Sequence, residues 1–203
     1  MNVVIVDYGM GNIKSISTTL RYLGIENVEL SNDYETLKNA DKLILPGVGS
    51  FGNAMEQIRS KKLDTYLNDI VIGSNKPILG ICLGMQLMGS SSNEDGYNVG
   101  LCFVDTEVRK FTTENIKIPH VGFNQVEVAK ESKLYKGIIP NPDFYFTHSY
   151  RMIGESQINQ SMCDYGGRFI ASFEYKNIAG VQFHPELSQK NGLRLLKNFV
   201  ETF

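Results

Sequence analysis

With 203 residues, 20 basic and 22 acidic side chains, the chain has room for one core of ordinary size and no charge surplus to hold nucleic acid or an anionic membrane. No apolar run approaches a bilayer span, and the first residues lack the basic start and long apolar stretch of a secretory leader. Three widely spaced cysteines without a C-x-x-C pair argue against a disulfide framework and a zinc site, and point to a reducing, cytoplasmic setting.

The apolar run Val3 to Val6, ending at Asp7, predicts a central parallel strand. Tyr8 to Asn12 reads as a turn, with Asn12 a candidate N-cap. Ile13, Ile16, Leu20 and Leu23 then recur at helical spacing until Gly24 stops the helix. Val28 to Leu30 predicts a strand, Tyr34 to Asn39 a short helix, and Lys42 to Pro46 another strand. This alternation implies a parallel sheet covered on both faces. The loop Pro46-Gly-Val-Gly-Ser-Phe-Gly52 follows at the C-terminal end of a strand, where open α/β sheets bind ligands. Asn53 to Ile72 reads as one or two helices, and 74–76 as a connecting loop.

Pro77 to Ile81 is a buried strand that runs into Cys82, and Leu83 to Ser90 begins a helix. Gly80 and Gly84 stand two residues to either side of the cysteine. That spacing is a G-x-C-x-G elbow, the cysteine form of the strand–nucleophile–helix turn of hydrolases. Side chains at the flanking positions would collide in so tight a turn, and the helix N-terminus favours the reactive thiolate. A lone cysteine is ordinarily a small buried hydrophobe. Such a residue needs no glycine at both flanks, so Cys82 is the candidate nucleophile.

Beyond the elbow the texture changes. Gly89 to Gly100 reads as a long surface loop. Partial period-two alternation at Val104 to Val108, Gln125 to Val128, Phe144 to Phe146 and Phe169 to Tyr175 predicts antiparallel strands and hairpins. Ile178 to Phe183 is a last buried strand, and Gly192 to Phe203 a closing amphipathic helix. Without a linker or repeat, the expectation is a single domain over 1–203.

A thiolate works with a base that carries its proton. Of His120, His148 and His184, the last sits in Gln182-Phe-His-Pro-Glu186, at the end of an apolar strand. Pro185 biases His184 to an extended conformation, and in an extended chain Glu186 would point the same way and orient the imidazole. His120 and His148 have no carboxylate two residues on, and His148 reads as a structural or pocket residue at a strand end. Cys102, in a strand-like run, and Cys163, in a polar loop, look inert. The carboxylates form no metal-ligand cluster, and the sequence predicts no cofactor.

The segments 7–12, 45–51, 80–86, 119–124, 147–150 and 182–186 together resemble the class I glutamine amidotransferases, in order and over nearly the whole length. More narrowly, 7–12 and 119–124 resemble the glutaminase subunits of imidazole glycerol phosphate synthase. The resemblance implies an open, mostly parallel α/β sheet flanked by helices (flavodoxin-like), with antiparallel strands in the C-terminal half. It implies that Cys82 attacks the amide of glutamine, that His184 passes protons and that Glu186 holds His184. Backbone N–H groups of Leu83 and of Val48 or Gly49 would form the oxyanion hole. Gly49, Gln86, Ser149 and Tyr150 would contact glutamine. Ammonia would pass to a β/α-barrel cyclase subunit in a heterodimer, which makes imidazole glycerol phosphate and aminoimidazole carboxamide ribotide in histidine biosynthesis. Ser92 to Asn98 and Phe123 depart from that family, which usually has a glycine- and glutamate-rich segment and a tryptophan there. Two alternatives follow: a paralogous subunit feeding ammonia to a barrel partner in surface-glycan sugar synthesis, or a redox-sensing module that uses Cys82 without catalysis.

Overall fold

The computed structural model describes residues 1–112, 116–154 and 157–203. The first half is built of β1 (Asn2–Val6), α1 (Ile13–Tyr22), β2 (Asn27–Ser31), α2 (Tyr34–Asn39), β3 (Lys42–Leu45), α3 (Phe51–Ser60), α4 (Leu63–Leu67), a π turn (Asn68–Gly73), β4 (Ile78–Ile81) and α5 (Leu83–Leu87). The second half contains β5 (Ser91–Ser92), β6 (Asn98–Val99), β7 (Glu107–Lys110), β8 (His120–Gln125), β9 (Asp143–His148), β10 (Tyr150–Ile153), β11 (Asn159–Asp164), β12 (Arg168–Tyr175) and β13 (Ile178–Val181). A 3₁₀ turn (Pro185–Leu187) and α6 (Gln189–Thr202) close it.

One sheet of seven strands runs in the order β11-β12-β13-β4-β3-β1-β2. Strands β2, β1, β3, β4 and β13 are parallel; β12 runs against β13, and β11 in turn runs against β12. The continuous apolar reading of β1 has its reason here. Val4 and Val6 pack into one core with Leu37, Leu43 and Phe51, while Val3 and Ile5 pack into the other with Ile16, Leu20 and Phe199. Alternate residues face opposite sides, and both sides are covered. Full burial of each such side chain is worth about 1.5–3 kcal/mol.

Capping separates two similar-looking helix starts. Asp33 accepts from the Thr36 N–H at 2.9 Å and caps α2. Asn12 precedes α1 but makes no capping bond; its side chain is engaged elsewhere, as described below.

Several sequence-based expectations need correction. The stretch 89–100 is not a plain surface loop: β5 and β6 lie within it, in a four-stranded sheet ordered β10-β7-β5-β6, and Ser92 is buried. Two-residue strands are too short to leave a periodic signature. The expected strand 104–108 lies at Glu107–Lys110, and the one at 125–128 lies at His120–Gln125, paired with β9. Cys102 lies on no strand. Its neighbours donate their N–H groups to the end of α5, Leu101 to Leu87 O and Phe103 to Met88 O, and Cys102 turns through φ 57°. Cys163 sits on β11 rather than in a loop, because Ser161 and Cys163 alternate inward beneath a polar-looking sequence.

Candidate active site

Parallel pairing of β4 with β13 brings the C-terminal ends of two strands side by side. The register matches Ile81 with Val181, and the Cys82 N–H donates to Val181 O at 2.8 Å. One step further along each strand, Cys82 and Gln182 lie side by side, and His184 follows. The elbow itself is strained: Cys82 has φ 54° and ψ −111°. The flanking glycines are there for space. A Cβ on Gly84 would lie 1.9 Å from Leu45 O, and one on Gly80 would lie 2.7 Å from Met85 Cα. The loop after β3 can therefore press on the elbow helix.

His184 and Glu186 meet as expected, but not by the expected route. Nδ1 of His184 stands 3.0 Å from Glu186 Oε1, with the side chains 4 % and 0 % exposed. His184 is extended, whereas Pro185 to Leu187 form a 3₁₀ turn that carries the carboxylate back to the ring. Proline at the first position of that turn presets its φ. Burial alone would lower the His184 pKa. The Cys82 sulfur and the Glu186 carboxylate outweigh burial and push it up to about 10. The other ring nitrogen, Nε2, is buried with no hydrogen-bond partner among the described residues, while the Cys82 sulfur acts on the ring electrostatically.

Cys82, His184, Leu83, Val48, Gly49, Gln86, Ser149 and Tyr150 all line one pocket of about 490 Å³. Val48 and Gly49 come from the loop after β3, and Gly49 adopts φ 107° with Met10 Cε behind it. Leu83 opens α5, where an N–H lacks an intrahelical partner. Gln86 is more constrained than expected of a substrate contact: its NH₂ donates to Tyr150 O at 2.9 Å and to Gln182 Oε1 at 2.8 Å. His148 ends β9 and lines the pocket. Its Nδ1 stands 2.7 Å from Tyr150 O, and its Nε2 3.0 Å from His120 Nδ1. Burial pushes His148 down to about 3 and His120 down to about 4, so neither suits proton transfer near neutrality. Burial, reinforced by Asp164, pushes the Cys163 thiol up to about 12.

Three pocket-side residues escaped sequence reasoning. Asn12, read as a helix cap, donates from Nδ2 to Glu186 Oε1 at 3.4 Å. Glu94 lines the pocket, accepts the Phe51 N–H at 2.8 Å and is raised by burial; nothing local marks it out. Gln182 donates to Cys82 Sγ at 3.7 Å. Its position two residues before His184, at the end of the same strand, was the available signal.

A strand–cysteine–helix elbow beside a carboxylate-held histidine has the form of a thiol-dependent amide hydrolase. The model of the glutamine amidotransferase class-I family matches residues 4–203, and the chain belongs to that family. A protein named imidazole glycerol phosphate synthase subunit HisH, from Aquifex aeolicus, is 44% identical over 98% of this chain and 96% of its own length. Subunit HisH 2 of Vibrio vulnificus is 40% identical over 99% of this chain and 94% of its own. Among solved structures, a putative GMP synthase protein from Thermoplasma acidophilum superposes with a TM-score of 0.73 at 23% identity, over 98% of this chain and 92% of that one. A glutamine amidotransferase superposes with a TM-score of 0.75 at 18% identity, covering 98% of each chain.

Proposed function

We propose that the chain is a glutaminase, acting as one domain, that supplies ammonia to a synthase partner. The carrying observation is the 3.0 Å contact between His184 and Glu186, buried beside Cys82 at its elbow. Cys82 Sγ attacks the side-chain carbonyl of glutamine, and its proton passes to His184. Backbone N–H groups of Leu83 and of Val48 or Gly49 steady the oxyanion. His184 returns the proton to the departing nitrogen, leaving a glutamyl thioester and ammonia. Water, deprotonated by the same imidazole, then releases glutamate and restores the thiol. Ser149, Tyr150 and the oxygen of Gln86 contact glutamine, and the Glu94 carboxylate in the pocket wall suits its α-ammonium group.

The relatives' names, subunits of imidazole glycerol phosphate synthase, support a synthase partner; the partner we propose is a β/α-barrel cyclase in a heterodimer, with imidazole glycerol phosphate and aminoimidazole carboxamide ribotide as its products. A redox sensor would need no carboxylate-held base. Among the described residues, no helix is long and apolar enough to cross a membrane. The test is mass spectrometry after treatment with a glutamine-analogue electrophile. Label is expected on Cys82; label on Cys102 or Cys163 with Cys82 free would overturn the assignment. Copurification from the source cell identifies the partner.

A further inference from the structure

The hydrogen bonds behind the nucleophile run in one direction. The Tyr150 carbonyl oxygen can only accept, and it takes one hydrogen of the Gln86 amide at 2.9 Å. The other Gln86 hydrogen goes to Gln182 Oε1 at 2.8 Å. With its oxygen so engaged, Gln182 turns its own NH₂ to the Cys82 sulfur, 3.7 Å away. The reverse orientation of the Gln182 amide would set NH₂ against NH₂ at Gln86 and press a carbonyl oxygen on the sulfur. Gln182 is 0% exposed, so bulk water does not compete for the donor, and its backbone is tied by an N–H bond to Ala171 O at 2.8 Å.

We propose that Gln182 is a further catalytic residue, donating a side-chain N–H to the reacting sulfur, and that Gln86 is the positioning residue that fixes the direction of this donor. The inference rests on Cys82 being the nucleophile. Its sense lies in the change of charge during the reaction. As a thiol, Cys82 also approaches the Thr147 carbonyl, 3.9 Å from Sγ. When the proton leaves for His184, that carbonyl contact turns repulsive and the Gln182 contact strengthens, because donors bind anions more tightly than neutral sulfur. The same N–H favours sulfur as the leaving group when the thioester is hydrolysed. Other ionisable groups around the sulfur are His184 after β13, Tyr8 from the turn after β1, His148 at the end of β9 and Glu94 across the pocket. None is changed in the variants below.

The test is the pH dependence of Cys82 alkylation by iodoacetamide, followed by mass spectrometry in the intact chain. A hydrogen bond to a charged group corresponds to roughly a ten- to hundredfold effect. Gln182→Leu should raise the alkylation midpoint by about one pH unit or more and slow labelling below it by about tenfold or more. Gln182→Glu keeps the shape and the bond from Gln86 but puts a carboxylate oxygen on the sulfur, so it should raise the midpoint further. Gln86→Met, which frees the amide to turn, should fall between wild type and Gln182→Leu. If Gln182→Leu does not fold, Gln182→Glu and Gln86→Met decide the question. Midpoints that coincide with wild type in the folded variants overturn the proposal. Failure of a glutamine-analogue electrophile to label wild-type Cys82 would instead remove the nucleophile reading, and this one with it.

Discussion

Glu186 holds two donors on one oxygen, His184 at 3.0 Å and Asn12 at 3.4 Å, and, among the described residues, none on the buried other. A carboxylate so placed orients a ring rather than moving protons itself. Replacing His184 with Ala should therefore remove several powers of ten of turnover, as loss of a triad member does. Glu186→Gln should cost less. Steady-state glutamine hydrolysis measures both, and a larger loss in His120→Ala or His148→Ala would mean that the base is misassigned. The His120–His148 pair has a different signature. Both are held neutral below the ordinary value of 6.5, at about 4 and about 3. An unfolded chain takes up these protons from about pH 6.5 downward, before the folded chain does. Stability should be full above that pH and fall as it drops toward 4. His184 has the opposite sign: its folded value, about 10, lies above 6.5, so its contribution is present below 6.5 and lost as pH rises through about 10. Urea melts across that range test this, and His148→Gln should flatten the acid limb.

Elements differ in how far their sequence announces them. Strands β1, β3, β4 and β13 are buried on both faces, so their apolar runs are continuous and, alternating with helices, make the parallel sheet legible in the sequence. The elbow is legible for a steric reason, because Gly80 and Gly84 meet backbone on the next segment. Strands β10 and β11 are not legible: β10 is mostly half-buried, and β11 buries only Ser161 and Cys163. Glu186 reaches His184 through a turn that Pro185 starts, not along a prolonged strand, so the spacing predicts the contact but not its path. Asn12 stands at the N-cap position of α1 as its sequence context predicts, but its side chain serves Glu186 instead of capping, and a cap and a pocket donor look alike in sequence. The elbow's sterics give a direct test. An alanine methyl at 84 would lie 1.9 Å from Leu45 O, 2.8 Å from Leu45 C and 3.0 Å from Pro46 O, all main-chain atoms that cannot rotate away. Gly84→Ala should destabilise the fold by at least the ~1–3 kcal/mol of an overpacked core and abolish Cys82 labelling. At Gly73 the nearest atom would be Asp69 Oδ1 at 3.5 Å, an ordinary contact, so Gly73→Ala should change neither. Thermal melts and electrophile labelling compare the two.

On the scale of the whole molecule, the pocket is closed on one side and open on the other. The elbow, the end of β9 and His184 after β13 supply buried walls, whereas Val48, 43% exposed, and Leu187, 44% exposed, stand at its mouth. The loop that carries Val48 is fixed at one end, where a Cβ on Gly47 would meet Gly84 N at 2.6 Å. Gly49, at φ 107°, leaves the other end in a conformation that only glycine adopts readily. Peptide units between two glycines reorient at little steric cost. With the proposed oxyanion donor at Val48 or Gly49, this loop can leave that N–H unset until a partner covers the mouth. A lone glutaminase would hydrolyse glutamine to no purpose, so such a device has a use. One oxyanion donor is worth about a hundred- to a thousandfold in rate. Turnover of glutamine by the isolated chain should therefore rise at least that much when partner and acceptor ligand are added, with the larger change in kcat. Equal turnover numbers in the two conditions would sink the switch and leave the triad standing. Gly49→Ala separates the loop from the triad: its methyl would lie 2.6 Å from Met10 Cε and strain the φ, so the stimulated rate should fall while alkylation of Cys82 by iodoacetamide, which needs no glutamine site, persists.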